Sequence, residues 1–132
     1  MLQITKQTEY AIRGLQELSR RNGAEPVQLR LIAAKCEVSE AFLAKIFQML
    51  GQAGIVKSHR GVKGGFNLGR PASEISMRDI VEVSEGGINL NQCLRGDQAC
   101  KQAADCRVAP LWAKAQNALT DTLECTSLAD VL

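Results

Sequence analysis

The chain has 132 residues, 45% of them hydrophobic and 23% charged, a globular composition that excludes a disordered chain. Sixteen Lys and Arg residues against fourteen Asp and Glu residues give a net charge of +2, which excludes a histone-like polycation and an acidic tail protein. No apolar run approaches the ~20 residues of a membrane span, and the first residues carry no apolar signal region. We therefore expect a cytoplasmic protein with no membrane partner.

The small net charge conceals a division of charge along the chain. Residues 1–70 carry eleven basic and five acidic side chains, a net +6, whereas residues 71–132 carry five basic and nine acidic ones, a net −4. A basic half in a small protein indicates a polyanionic partner, most commonly nucleic acid. Charge alone fits a solvated surface equally well, so the interpretation depends on the predicted elements.

Three helices are predicted in the basic half, over residues 5–21, 29–35 and 39–52, from their apolar periodicity and capping residues. Ser39 is the N-cap of the third helix and follows a three-residue turn. The outward positions of that helix are small or hydrogen-bonding apart from one ring, and they are Ala41, Phe42, Ala44, Lys45 and Gln48. Two helices joined by a tight turn, the second with a sparse outer face, are typical of a helix-turn-helix.

A glycine-rich hairpin is predicted directly after the third helix, with strands over residues 54–60 and 66–68. Cationic and histidine side chains lie in or beside it, namely Lys57, His59, Arg60, Lys63 and Arg70. The glycines favour close approach of the backbone to a DNA groove, where cations meet phosphates. We therefore expect a mainly α fold with a small β-hairpin wing, in which residues 1–75 form a winged helix-turn-helix domain.

The rest of the chain, residues 76–132, is expected to hold a sensing loop and a dimerisation helix. Ser76 caps a fourth helix, and a polar, cysteine-containing loop covers residues 88–106. A final helix over about 108–123 carries a broad apolar stripe. We expect this stripe to be uncovered in a monomer, because so small a chain has little core left to pack against it. A second copy of the chain is the natural cover, because symmetric DNA sites are bound by two-fold dimers. The predicted dimer contacts are Leu111, Trp112, Ala115, Leu119 and Leu123.

Three of the five cysteines, Cys93, Cys100 and Cys106, lie close together in that loop. Structural zinc prefers closer pairs and a fourth Cys or His nearby, and a metal-free thiol switch needs two of the thiols. An iron–sulfur cluster suits soft thiolates on a loop. Spacing alone leaves all three chemistries open, with the cluster ranked first. Cys36 is predicted to be a small core residue, and Cys125 receives no predicted role.

Several segments of the chain carry a specific combination of motifs. They are ITKQTEYAIR (4–13), VSEAFL (38–43), AGIV (53–56), RGVKGGFNLGRPA (60–72) and SLADVL (127–132). With the three cysteines, this combination resembles the winged-helix family of bacterial iron–sulfur repressors over essentially the whole chain. The resemblance implies a dimeric DNA-binding regulator, not an enzyme, that senses nitric oxide, iron or redox state through its cluster.

The resemblance also implies which residues hold the cluster. The three loop cysteines look like its ligands, and a [4Fe-4S] cluster is favoured over [2Fe-2S]. The cluster-biogenesis branch of the family takes its fourth ligand from a histidine at the position that is Ala109 here. The nitric-oxide branch takes a carboxylate from the first helix of the other subunit, and Glu9 occupies that place. The alternative role of Glu9 is an ion pair with Arg13, one turn further along the helix.

The resemblance places the DNA-reading residues on the third helix and the wing, facing a palindromic double-stranded site. A glutamate reads bases in the cluster-biogenesis branch, but Ala44 stands at its position, so the target sequence does not transfer. The expected DNA contacts are Ser39, Glu40, Ala41, Phe42, Lys45 and Gln48 on the helix, and His59, Arg60, Val62 and Lys63 on the wing. A small iron–sulfur electron carrier is the alternative, against which the wing argues.

Overall fold

The computed structural model describes residues 3–21, 23–91, 94 and 106–132. The helices are α1 (Lys6–Arg21), α2 (Leu29–Cys36), α3 (Glu40–Gln52), α4 (Met77–Glu85) and α5 (Ala109–Glu124). The strands are β1 (Val56–His59) and β2 (Gly65–Leu68), and short 3-10 turns cover Ala72–Glu74 and Leu128–Val131. The expected class, mainly helical with a β-hairpin wing, is confirmed. Among the described residues, no helix is long and apolar enough to cross a membrane.

The turn between α2 and α3 is formed by residues that end one helix and begin the next. Glu37 closes α2 in the left-handed conformation, with φ of 56°. The hydroxyl oxygen of Ser39 then accepts a hydrogen bond from the amide of Phe42 at 3.2 Å, which caps α3 as predicted. The tight turn fixes the direction in which α3 leaves the surface.

The core lies between α1, α2, α3 and the hairpin. Phe47 of α3 is fully buried and packs edge to face on Phe66 of β2, with 5.1 Å between the ring centroids. Gly14 of α1 allows the Phe47 ring to lie close to the α1 backbone, because a Cβ at that position would lie 2.8 Å from the ring. α1 and α3 are therefore in close contact, and a displacement of one helix disturbs the other.

The core also includes residues beyond the boundary predicted at residue 75. Ile80 of α4 and Leu128 near the chain end are fully buried and join the same apolar cluster as α1, α2 and α3. The amide of Leu128 donates a hydrogen bond to the carbonyl oxygen of Ile75 at 2.8 Å. The sequence did not predict this C-terminal turn, which packs α4 and the chain end onto the helix-turn-helix.

The wing is anchored to Val27, two residues before α2 begins. β1 and β2 pair antiparallel, with Val56 opposite Leu68. Phe66 of β2 exchanges two backbone hydrogen bonds with Val27, at 2.8 and 2.9 Å. Gly65 makes that approach feasible, since a Cβ there would lie 2.3 Å from the Val27 carbonyl oxygen. Packing within the chain therefore explains this glycine, which the sequence pattern had connected with approach to DNA.

Candidate DNA-binding surface and cysteine loop

α3 presents a polar face opposite its buried stripe. Leu43, Ile46, Phe47 and Leu50 point into the core, whereas Lys45 and Gln48 between them face solvent and Ala44 and Met49 are half-buried. The predicted DNA-contact residues that are exposed on this helix and its cap are Ser39, Glu40, Ala41, Lys45 and Gln48. Because the buried stripe fixes the rotation of α3, the exposed face is held on a rigid support.

Phe42 differs from the other predicted contacts on α3 because it is half-buried. Its ring packs edge to face on Tyr10 of α1, with 5.9 Å between the centroids, and contacts the apolar core. The guanidinium carbon of Arg13 lies 5.6 Å from the centre of the same tyrosine ring. The ring of Phe42 thus joins α3 to α1, and its contact with DNA stays a prediction.

The tip of the wing exposes an apolar side chain between cations. Val62 is 98% exposed, and Arg60 and Lys63 beside it are exposed as well. The amide of Gly64 donates to the carbonyl oxygen of Gly61 at 2.9 Å and closes the turn. This geometry suits a wing tip that enters a narrow groove, with cations directed at the phosphates.

An open groove lies between α3 and the first strand of the wing. Gln48 and Gln52 line it from α3, and Lys57 and Ser58 line it from β1. His59 and Val62 line a second groove, which reaches Glu40 at the start of α3. Four of the exposed predicted contacts therefore line these two adjoining grooves, namely Glu40, Gln48, His59 and Val62.

Glu9 forms ion pairs within its own helix. One carboxylate oxygen lies 3.0 Å from Lys6 Nζ, and the other lies 2.7 Å from a guanidinium nitrogen of Arg13. The hydrogen bond from Lys6, together with its charge, lowers the pKa of Glu9, and Arg13 adds to the effect. The side chain is 35% exposed. The ion pair anticipated as an alternative is present, and cluster ligation by Glu9 stays a prediction.

Of the three cysteines predicted to hold the cluster, only one is among the residues that the structure describes. Cys93 and Cys100 lie outside the described residues, whereas Cys106 is exposed shortly before α5. Within the described part of the chain, no group of three His, Cys, Asp or Glu side chains is arranged to hold a metal ion. The donor chemistry nevertheless fits an iron–sulfur cluster, because thiolates are the ligands that such clusters take, and three of the usual four are present in this segment of the sequence.

The two cysteines outside the loop differ in exposure. Cys36 is half-buried against the core, and this burial raises its pKa, with a further contribution from the charge of Glu17. That environment keeps the thiol protonated. Cys36 therefore packs at the edge of the core, where the sequence predicted a buried residue. Cys125 is exposed at the end of α5.

A polar contact that no local pattern in the sequence predicts joins the end of α4 to the start of α1. Glu85 accepts hydrogen bonds from the amide and hydroxyl of Thr5, at 3.0 and 2.8 Å, and from the hydroxyl of Thr8. Burial raises the pKa of Glu85, but the hydrogen bonds from Thr8 and Thr5 outweigh it, so the pKa lies below its usual value. The available signal was Thr8 itself, because a hydroxyl on the inward face of a helix requires a buried partner.

α5 leaves its apolar stripe uncovered in the single chain. The structure describes every residue of this helix, and none of them is buried. Of the predicted dimer contacts, Leu111 is 57% exposed, Trp112 38% and Leu119 39%. Ala115 and Leu123 are half-buried.

The family pattern described as an iron-dependent transcriptional regulator, Rrf2, matches residues 4–132. The chain belongs to the Rrf2 family. This confirms the resemblance identified in the sequence. Rrf2 proteins are DNA-binding transcriptional regulators rather than enzymes, and this chain is one of them.

Relatives of this Rrf2 protein match it along almost its whole length. Protein aau3 of Rhizobium meliloti is 37% identical over 132 residues, which are 99% of this chain and 85% of that protein. The transcriptional regulator NsrR of Bacillus licheniformis is 30% identical over 132 residues, 99% of this chain and 92% of that protein. The structure of CymR, the global cysteine regulator of Bacillus subtilis, matches with a TM-score of 0.80 and 32% identity, covering 99% of this chain and 96% of that chain.

Proposed function

We propose that this Rrf2 regulator binds palindromic double-stranded DNA as a homodimer, in the role of a repressor. It senses nitric oxide, iron or redox state through an iron–sulfur cluster. One observation carries the sensing proposal: three cysteines are close together in the sequence, between the end of α4 and the start of α5. The description of the family as iron-dependent supports the same cofactor.

In this proposal Cys93, Cys100 and Cys106 hold the cluster, and Glu9 of the other subunit supplies the fourth ligand. A [4Fe-4S] cluster is favoured over [2Fe-2S]. Both carboxylate oxygens of Glu9 are paired with Lys6 and Arg13 in the single chain, so ligation requires at least one of these ion pairs to open. A carboxylate is a weaker iron ligand than a thiolate, so the iron that it holds is the one most open to a reactive signal molecule.

On the DNA side, the start of α3 lies in the major groove and the wing tip lies near the minor groove. Ser39, Glu40, Ala41, Phe42, Lys45 and Gln48 meet the major groove, while His59, Arg60, Val62 and Lys63 meet the backbone and the minor groove. The exposure of these side chains supports the assignment for all of them except Phe42, whose ring is half-buried. The excess of basic residues in the first half of the chain supports it too.

In this proposal the signal changes the distance between the two recognition helices, which are the α3 helices of the two copies. Cys93, Cys100 and Cys106 of one subunit and Glu9 of the other would hold the cluster between them, which would tie the two copies together. Two half-sites lie about 34 Å apart, so a small change in helix spacing is sufficient to weaken binding. Loss of the cluster therefore alters the affinity for DNA.

The test is the iron and sulfide content of protein purified without oxygen. We expect ~4 iron and ~4 sulfide per chain, with visible absorption from thiolate-to-iron bands, as a four-iron cluster requires. Cys125→Ser removes an exposed cysteine outside the loop and serves as the control that keeps this content, whereas Cys106→Ser lowers it. Colourless, iron-free wild-type protein from anaerobic cells contradicts the cluster.

The second candidate is a DNA-binding thiol switch without metal. The similarity to CymR of Staphylococcus aureus favours it, because one structure of that protein is described as its oxidised form. A disulfide between loop cysteines, found by mass spectrometry in oxidised iron-free protein with altered DNA affinity, identifies the switch. The electron-carrier alternative is not supported, because the family consists of transcriptional regulators.

A further inference from the structure

We propose that Glu85 is a positioning residue that couples the cysteine loop to the recognition helix within one subunit. The proposal rests on the proposed sensing function of that loop. Glu85 is the last residue of α4, and the chain continues from it toward Cys93. Gly86 and Gly87 follow with φ of 77° and 124°, so the chain turns sharply at the end of α4.

The carboxylate of Glu85 belongs to α4 but stabilises the beginning of α1. It accepts from the amide of Thr5 at 3.0 Å and from the hydroxyl of Thr5 at 2.8 Å, next to the first turn of α1. A negative charge at a helix start is favourable because the first amides of a helix lack partners inside it. Thr8, whose hydroxyl is the third donor, is fully buried and has no access to water. A shift of Glu85 therefore moves α1 or weakens the bonding of this buried hydroxyl.

Gln7 extends the connection from the end of α4 to α3. Its side-chain nitrogen donates to the carbonyl oxygen of Ser84 at 2.7 Å. The same nitrogen lies 3.7 Å from the sulfur of Met49, which belongs to α3. One turn of α1 thus contacts both the end of α4 and the recognition helix. The close packing of Gly14 on Phe47 joins α1 to α3 further along.

The start of the cysteine loop is also held from the opposite side. The amide of Leu90 donates to Oε1 of Gln116 on α5, at 3.0 Å. The segment from Ser84 to Leu90 therefore contacts α1 through one end and the proposed dimerisation helix through the other. Through the Glu85 contacts, a displacement of the segment from Ser84 to Leu90 reaches α1, and through Gln7 it reaches α3.

The test is a double-mutant cycle on DNA affinity, with a duplex that the wild-type protein selects from a random library. One change replaces all three loop cysteines and so removes the proposed cluster ligands (Cys93→Ser with Cys100→Ser and Cys106→Ser). The other change is Glu85→Ala. With Glu85 present, we expect loss of the cysteines to change Kd about tenfold, within the usual range of coupling between sites. With Glu85→Ala, the same loss changes Kd less than about twofold.

Two variants separate coupling from a general loss of structure. Glu82→Ala removes a carboxylate on the same helix that pairs with Arg78 at 2.9 Å, and it keeps the tenfold response. Glu85→Gln keeps an oxygen that accepts from the threonines, so its response lies between wild type and Glu85→Ala; it is also the working variant if Glu85→Ala unfolds. Hydrogen exchange of residues 5–9 supplies a second readout: it differs between the two loop states in wild type and not in Glu85→Ala.

The outcomes distinguish this inference from the proposed function. If Glu85→Ala keeps its iron, its sulfide and the full tenfold response, the coupling through Glu85 is wrong, and the proposed sensing role of the loop is unaffected. If the wild type and its cysteine variant bind DNA equally well, the proposed sensing role of the loop is wrong. The coupling through Glu85, which depends on that role, is then wrong as well. A tenfold response that collapses in Glu85→Ala and persists in Glu82→Ala supports the coupling.

Discussion

Two helices of this protein, α3 and α5, carry apolar stripes of similar pattern, but only the stripe of α3 is buried in the single chain. On α3, Leu43 and Phe47 are fully buried, whereas on α5 Leu111 is 57% and Trp112 38% exposed. α1 and the hairpin cover α3, while α5 packs against α4 without burying any of its residues, all of which the structure describes. Periodicity therefore predicts which face of a helix is apolar, but not whether the same chain or a second copy covers it.

The sharpest test of this contrast replaces one ring on each helix. Phe47→Ala removes a fully buried ring, and we expect the free energy of unfolding to fall by about 3–5 kcal/mol, because a cavity remains. Trp112→Ala, measured where the chain is monomeric, costs less than about 1 kcal/mol, since its ring is partly solvated already. Urea denaturation followed by circular dichroism measures both. Equal losses would show that α5 belongs to the core.

The second prediction concerns what covers α5. Leu119→Glu places a charge on the uncovered stripe, and we expect the dimer dissociation constant to rise at least about 100-fold, because an unpaired carboxylate is costly to bury. Sedimentation equilibrium measures the change. Asn117→Glu alters an exposed position on the same helix outside the stripe and leaves the dimer intact. A Leu119→Glu protein that dimerises like wild type would remove the proposed role of α5.

The third prediction compares the cations of the two halves. Arg60→Ala and Lys63→Ala each reduce the slope of log affinity against log salt by about 1, because each variant leaves one phosphate without its cation. Lys114→Ala removes an exposed cation from α5 and leaves the slope unchanged. Fluorescence anisotropy of a labelled duplex across a salt series provides the slopes. Equal effects from both halves would contradict a DNA surface confined to α3 and the wing.

The smallest expected effect is the pH dependence of the Glu85 contact between α4 and α1. Its folded-state pKa lies below the ordinary value of 4.5, so its stabilising contribution is present above that value and is lost as pH falls through the lowered pKa. The difference in unfolding free energy between wild type and Glu85→Gln therefore shrinks between about pH 6 and pH 3. Urea midpoints at the two pH values measure it. A difference that grows on acidification contradicts the assigned direction.

Local signals predicted helix starts well, whereas contacts between distant segments were not predictable. Ser39 and Ser76 were identified as caps because capping joins residues three positions apart. The contact of Thr5 with Glu85 and the burial of Leu128 depend on how the chain returns to its own start, which no local pattern encodes. Glu9 shows both cases, since spacing along one helix indicated its pairing with Arg13, whereas ligation by Glu9 depends on a second copy.

The central claim is that the state of the cysteine loop controls binding to DNA. The most direct measurement is the Kd for a selected palindromic duplex, taken without oxygen on the same preparation before and after its iron is removed. We predict a change of at least about fivefold in Kd that follows the loss of visible absorption. An identical Kd before and after complete loss of iron would contradict the account.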